Sequence, residues 1–270
     1  MWHPRRTRRV LATATLALLV GAACPAFAGQ GCESAQPSLD VVKKTTAMAR
    51  RTQIALDAGV EQVYVLGRIG QDLSRFGLKY SHLALVMRDP EDGQWTVYHA
   101  LNECGTAVSR VYKQGLLEFF GDDLFRYEAA IVSLPKALQA RVATRLREAP
   151  KVFHEPSYSV VAYPFSPLHQ NSNQWLLETL AAAMSTDAVL KTREQAQAWL
   201  RMAGFEPTEL KLGPMTRLGG RLFKAQVFFD DHPGDLRWAD RIRTTTAESV
   251  FEFLGKRYPG DFKLETVELY

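Results

Sequence analysis

The chain is 270 residues long, 46 % hydrophobic and 23 % charged, with a formal net charge of +4. The positive excess belongs to the first 28 residues, which hold four arginines and no acid, leaving 29 basic against 29 acidic side chains in the rest. A balanced body of that size is long enough for one substantial core, and nothing in it asks for nucleic acid or an acidic membrane surface as partner.

Taken in order, the chain opens with Arg5, Arg6, Arg8 and Arg9 ahead of an apolar run over 10–23. Ala26-Phe27-Ala28 then offers a small-x-small cleavage site. Residues 1–28 are expected to be a secretory signal peptide, too short and wrongly flanked for a stable membrane span, and 29–270 a single α+β domain. No later apolar run reaches the roughly 18 residues that cross a bilayer, so no span is expected once the signal is removed. Of the three cysteines, Cys24 leaves with the signal. In the oxidising compartment that export implies, Cys32 and Cys104 are expected to pair. Two cysteines at that separation make no zinc signature.

A loose apolar periodicity over 39–58 predicts a helix. Residues 63–68 read as a short strand, and 71–76 as a turn or short helix ended by Gly77. Lys79 to Met87 is apolar enough for a strand buried on both faces. Asp89-Pro90-Glu91-Asp92-Gly93 is turn chemistry, and 94–101 is the partner strand of a hairpin. A short helix over 116–120, a strand over 127–134 and a helix over 135–149 with proline in its first turn follow. Residues 156–167, aromatic and proline-rich, read as extended chain. Helices are expected at 173–184, at 191–202 closed by Gly204, and at 248–257, and strands at 225–229 and 242–245.

The stretch from His169 to Met184 is the focal one. A polar run, Gln170 to Gln174, leads into Trp175, Leu176, Leu177, Leu180, Ala181 and Met184, which one helical stripe gathers into the core. Asn171 followed three residues later by Gln174 fits a capping box. A helix start supplies free N–H groups and a positive field, so Ser172 there is either a capping-region hydroxyl or a nucleophile in need of a base. His82 opens one hairpin strand and His99 lies late in the other, so antiparallel pairing can bring them together. Two such histidines are either ordinary cross-strand residues or a base and its orienter.

Tyr80-Ser81-His82-Leu83-Ala84-Leu85-Val86 resembles the Tyr-Ser-His strand of permuted papain-like proteins, a group that includes lecithin:retinol acyltransferase-like enzymes and permuted NlpC-type cell-wall peptidases. Asn171-Ser172-Asn173-Gln174-Trp175-Leu176 is similar to that group's Asn-Cys-Glu-His-Phe-Val, with serine where the nucleophilic cysteine stands. More closely, Gly67 to Ser74, Tyr80-Ser81-His82 and Asn171 to Trp175 together resemble the bacterial domain-of-unknown-function family 2145, over nearly the whole chain after the signal. That family brings no activity with it.

The wider resemblance implies an antiparallel sheet packed against a central helix in a permuted papain-like arrangement. It also implies a hydrolase or acyltransferase of amide or ester bonds, with His82 as base, His99 as its orienter and Ser172 as nucleophile. Unlike a thiol, the serine has no accessible anion near neutral pH and would rely on base catalysis and an oxyanion hole. Cys104, five residues after His99, is a rival nucleophile only if it stays reduced. Gln71, Asp72, Tyr80, Asn102, Asn171 and Asn173 are the candidate substrate contacts. Trp95, Tyr98, Tyr158 and Tyr163 are either stacking surface or core. The expected partner is cell-envelope peptide or glycan. A catalytically inert protein binding such a ligand in the same cleft is the alternative. No cofactor motif is present, and Asp230-Asp231-His232, consecutive on extended chain, reads as a turn and not a metal site.

Overall fold

In the computed structural model, residues 36–121, 124–213 and 226–269 are described. The expected signal and Cys32 lie outside them. A mixed α+β architecture is built on a six-stranded antiparallel sheet. Its strands are β1 (Val63–Ile69), β2 (His82–Arg88), β3 (Trp95–Asn102), β4 (Ser109–Gln114), β5 (Arg126–Ser133) and β8 (Leu264–Glu268), in the order β4-β3-β2-β1-β5-β8. The β2–β3 hairpin forms where turn chemistry placed it, with Arg88 opposite Trp95 and Leu85 opposite Tyr98. A separate ribbon pairs β6 (Thr208–Lys211) with β7 (Arg241–Thr244).

The central strands are mostly apolar because both faces of the sheet are covered. On one face, Leu83, Leu85, Tyr98, Ala100, Ala130 and Val132 pack against α3 (Lys136–Glu148), α4 (Ser172–Met184), α5 (Arg193–Met202) and α7 (Ala247–Arg257). On the other, Leu66, Ala84, Val86, Val97 and Ile131 pack against α1 (Leu39–Ala58) and α2 (Leu116–Phe119). The period-2 alternation of a strand decides which residue goes to which face. A short helix, α6 (Gly234–Trp238), precedes β7. Helix α5 ends as its glycine foretells: Gly204 takes a left-handed φ of 81° and Phe205 N–H bonds back to Leu200 O at 2.9 Å.

The focal helix α4 is the centre of the molecule, with all thirteen residues buried. That is more than an amphipathic stripe, and it forces the polar residues of α4 to find partners inside. Glu178, fully buried, accepts from Arg193 Nε at 2.8 Å and Nη2 at 3.1 Å, Gln197 Nε2 at 2.8 Å, Gln174 Nε2 at 3.1 Å and Gln170 Nε2 at 2.6 Å. Burial pushes its carboxyl up, against the opposing pull of Arg193 and the two glutamines Gln197 and Gln174.

Two expectations need correction. Residues 226–229 form no strand: Val160 N–H reaches Gln226 O, but Phe228 N–H and C=O both bond to the Ser159 hydroxyl, so a side chain replaces the ladder. Strands β4, β6 and β8 and helix α6 were not foreseen. β4 and β8 are the two edges of the large sheet, half open to water, and their mixed polar sequences carry little alternation.

Candidate functional site

The hairpin brings its histidines together as expected. His82 Nε2 lies 2.9 Å from His99 Nδ1, and His99 Nε2 lies 2.8 Å from Gln114 Oε1 on β4. Gln114 Oε1 accepts, so His99 carries its proton on Nε2, and His82 Nε2–H donates to His99 Nδ1. Both histidines are buried around the Phe119 ring. Arg68, opposite His82 in the β1–β2 register, lies over the same ring and donates from Nη1 to Phe119 O. Burial, then the charge of Arg68, then His99 hold the His82 imidazole well below its ordinary value of 6.5. The ring is neutral at physiological pH.

Ser172 does not join this pair. His82 has the parity of Ala84 and Val86, which face α1 and α2, whereas Leu83 and Leu85 face α4. The single-residue alternation thus turns His82 away from the helix that carries Ser172. The Ser172 side chain is buried beside the Tyr158 phenol, whose proton burial holds on. Of the expected His82–His99–Ser172 constellation, the two histidines meet, and among the described hydrogen bonds none joins Ser172 to either of them.

The remaining candidates divide between scaffold and surface. Asn171 caps α4, its Oδ1 accepting Gln174 N–H at 2.8 Å, while its Nδ2 reaches Thr244 Oγ1 at 3.0 Å and Thr245 O at 3.1 Å. Only half of the capping box forms, because the Gln174 amide turns to Glu178 and Pro164 O. Asn171→Ala loses both the cap and the tie to β7, and is expected to cost about 1–2 kcal/mol in urea unfolding. Asn173 Oδ1 accepts Leu83 N–H at 2.9 Å, filling a ladder position that β3 leaves open. Tyr80 is buried, donating to Glu128 Oε1 at 2.6 Å, and is no cleft residue. Gln71 and Asp72 are exposed, and Asp72 Oδ1 accepts Ser74 N–H at 2.9 Å as a turn residue does. Asn102 ties the β3–β4 turn to Gln226. Trp95, Tyr98 and Tyr158 are buried. Cys104 is disulfide-bonded, which removes it as a nucleophile.

A different constellation is assembled in the segment that leads into α4. Ser157 Oγ lies 2.7 Å from His169 Nδ1, and His169 Nε2 lies 3.0 Å from Asp230 Oδ1. The His169 ring is stacked on Phe228 at 4.7 Å and 16°. Its backbone O accepts Arg193 Nη2 at 3.1 Å, so the Glu178–Arg193 pair also anchors the histidine. Ser157 is half-buried and is pinned from two sides. Its C=O accepts Gln170 N–H at 2.9 Å, and it bridges antiparallel to Val108 beyond β4. Asp230 stands in solvent with its side chain 58 % exposed. Its neighbours point elsewhere: Asp231 accepts Tyr163 N–H at 2.7 Å, and His232 Nε2 donates to Val161 O at 2.8 Å. A second pair, Ser109 Oγ and His154 Nε2 at 2.9 Å, has its serine closed to solvent.

Nothing in the sequence marks Ser157, His169 and Asp230 as a group. They are 12 and 61 residues apart, and no local spacing links them. Among the described residues, no group of three or more His, Cys, Asp or Glu side chains is placed to hold a metal ion.

Residues 55–254 match the family described as "Uncharacterized protein conserved in bacteria (DUF2145)". No curated protein and no solved structure matches the chain.

Proposed function

Since the chain belongs to the bacterial family DUF2145, whose description carries no activity, we propose its function from the geometry of the site: an exported envelope hydrolase or acyltransferase acting on amide or ester bonds through Ser157. The observation that carries the proposal is the continuous Ser157–His169–Asp230 hydrogen-bond chain. Ser157 O–H donates to His169 Nδ1, and His169 Nε2–H donates to Asp230, which is the tautomer a general base needs. As Ser157 Oγ attacks a carbonyl carbon, its proton passes to His169, and the imidazolium so formed is stabilised by the Asp230 carboxylate. His169 then returns the proton to the leaving amine or alcohol. With Asp230 in solvent its field is screened, so ring orientation falls more to Phe228 and to the anchored backbone of His169.

The permuted papain-like likeness enters this proposal as ancestry. It is supported by the order His82, His99, Asn171-Ser172 and by the histidine pair, and the chemistry has moved to a different serine. Export rests on the N-terminal sequence pattern.

A fluorophosphonate probe tests the proposal on the mature chain. Labelling is expected to vanish in Ser157→Ala, to survive in Ser172→Ala and His82→Gln, and to slow by about 10²–10⁴-fold in His169→Ala. Equal labelling of Ser157→Ala and the parent chain, or none of the parent chain, would overturn it. The three side chains would then be a loop staple in a protein that binds without catalysis.

A further inference from the structure

β4 ends the large sheet, and its outer edge is occupied along only part of its length. Ser109 N–H donates outward to Pro156 O at 2.8 Å, and Tyr158 N–H donates to Ala107 O at 2.8 Å. Residues 156–158 thus form a short antiparallel lane beside 107–109, with Ser157 bridged to Val108. Outward groups recur every second residue, so Val111 and Lys113 present theirs along the same line. Among the described residues these two make no backbone hydrogen bond on that side. Beside them lies a groove of about 550 Å³ whose walls include Tyr98, Val111, Lys113, Leu146, Arg147 and Lys151, with Asp89 and Glu91 at its hairpin end.

We infer that this open edge receives an extended peptide as an added antiparallel strand and delivers its C-terminal end to Ser157. The occupant is a peptide and not a glycan because main-chain N–H and C=O groups facing outward at strand spacing match another strand. The direction follows from the lane itself: a chain antiparallel to β4 starts opposite Lys113 and ends opposite Val111, because the next outward position, at Ser109, is held by Pro156, the neighbour of Ser157. Val111, half-buried on the groove wall, gives an alternate side chain apolar contact. Lys113, Arg147 and Lys151 outnumber the two acids and favour a peptide with an acidic side chain. The fate of the bound chain rests on the Ser157 reading, but its binding does not.

Fluorescence anisotropy on the mature chain tests this with one probe, an N-terminally fluorescein-labelled Thr-Val-Glu-Val-Thr peptide. Proline at Lys113 removes an outward N–H while leaving the ladder to β3 intact, as edge strands tolerate. The expected result is binding by the parent chain and by Ser157→Ala, and at least about tenfold weaker binding by Lys113→Pro. Should Lys113→Pro fail to keep its thermal melt, the same probe N-methylated at its second and fourth residues makes the test on the unaltered protein, and is expected to bind at least about tenfold more weakly. No binding by the parent chain, or equal binding of the methylated probe, overturns the inference. Binding that passes these tests while Ser157→Ala still labels with fluorophosphonate would leave the edge standing and remove the triad.

Discussion

Glu178→Ala is expected to destabilise the protein by about 3–5 kcal/mol, because it strands a buried guanidinium. Arg193 is only 7 % exposed, and Glu178 is its sole acidic partner among the described ion pairs. In the parent chain five donors converge on that carboxylate, so the pair's desolvation is offset by hydrogen bonds as well as by attraction. Removing the carboxylate leaves Arg193, Gln170, Gln174 and Gln197 competing for acceptors that α4 does not have. Urea unfolding at neutral pH measures the loss, and the melting temperature should fall by roughly 10 °C for a chain of this size. A loss below about 1 kcal/mol would mean that water enters to solvate Arg193. Replacing the pair together, Glu178→Leu with Arg193→Met, should recover part of the loss, since no charge is then stranded. Arg193 also holds Pro167 O at 2.7 Å and His169 O at 3.1 Å, so the double variant, even if stable, should lose the alignment of His169 and label more slowly with fluorophosphonate.

Acid is expected to weaken the fold through His82. In the unfolded chain this imidazole takes up a proton near its ordinary value of 6.5, whereas in the fold it resists until well below that. Between the two values the unfolded state binds more protons, so stability rises with pH. The contribution is complete above about pH 6.5 and is lost as the pH falls toward the folded value, at up to about 1.4 kcal/mol per unit for one proton. Going from pH 6.5 to 5 this amounts to at most about 2 kcal/mol. The lowering comes from burial, in which the Phe119 ring of α2 shares, then from Arg68 on β1 and from His99 on β3. His154 and His232 are also lowered by burial and add to the slope of the parent chain. The measurement is therefore a difference. Urea unfolding of parent and His82→Gln across this range should show the variant losing stability with a slope shallower by nearly one proton. Parallel slopes would mean that His82 protonates within the fold.

The placement of His82 shows how far a sequence can be read. Turn chemistry at 89–93 and two apolar runs sufficed to pair β2 with β3, and the pairing sufficed to bring His82 to His99. Strand parity then sent His82 to the face away from α4. That outcome required knowing which residues α4 covers, and in strands buried on both faces Leu83 and Ala84 look alike. The edge strands were missed for the opposite reason: Arg110, Lys113, Glu265 and Glu268 face water and blur the alternation.

By itself the sequence determined the family, the mixed α+β class, the central hairpin, the buried α4 and its Asn171 cap, because each of these is written in local periodicity, turn residues or a short motif. Only the tertiary structure decided which histidine meets which serine. Ser157, His169 and Asp230 lie on three irregular segments whose positions are set by the docking of α4, the Glu178–Arg193 pair and the β3–β4 turn. Hydrogen bonds between side chains on irregular chain leave no period and no spacing, since their geometry comes from long-range packing and not from the backbone between them.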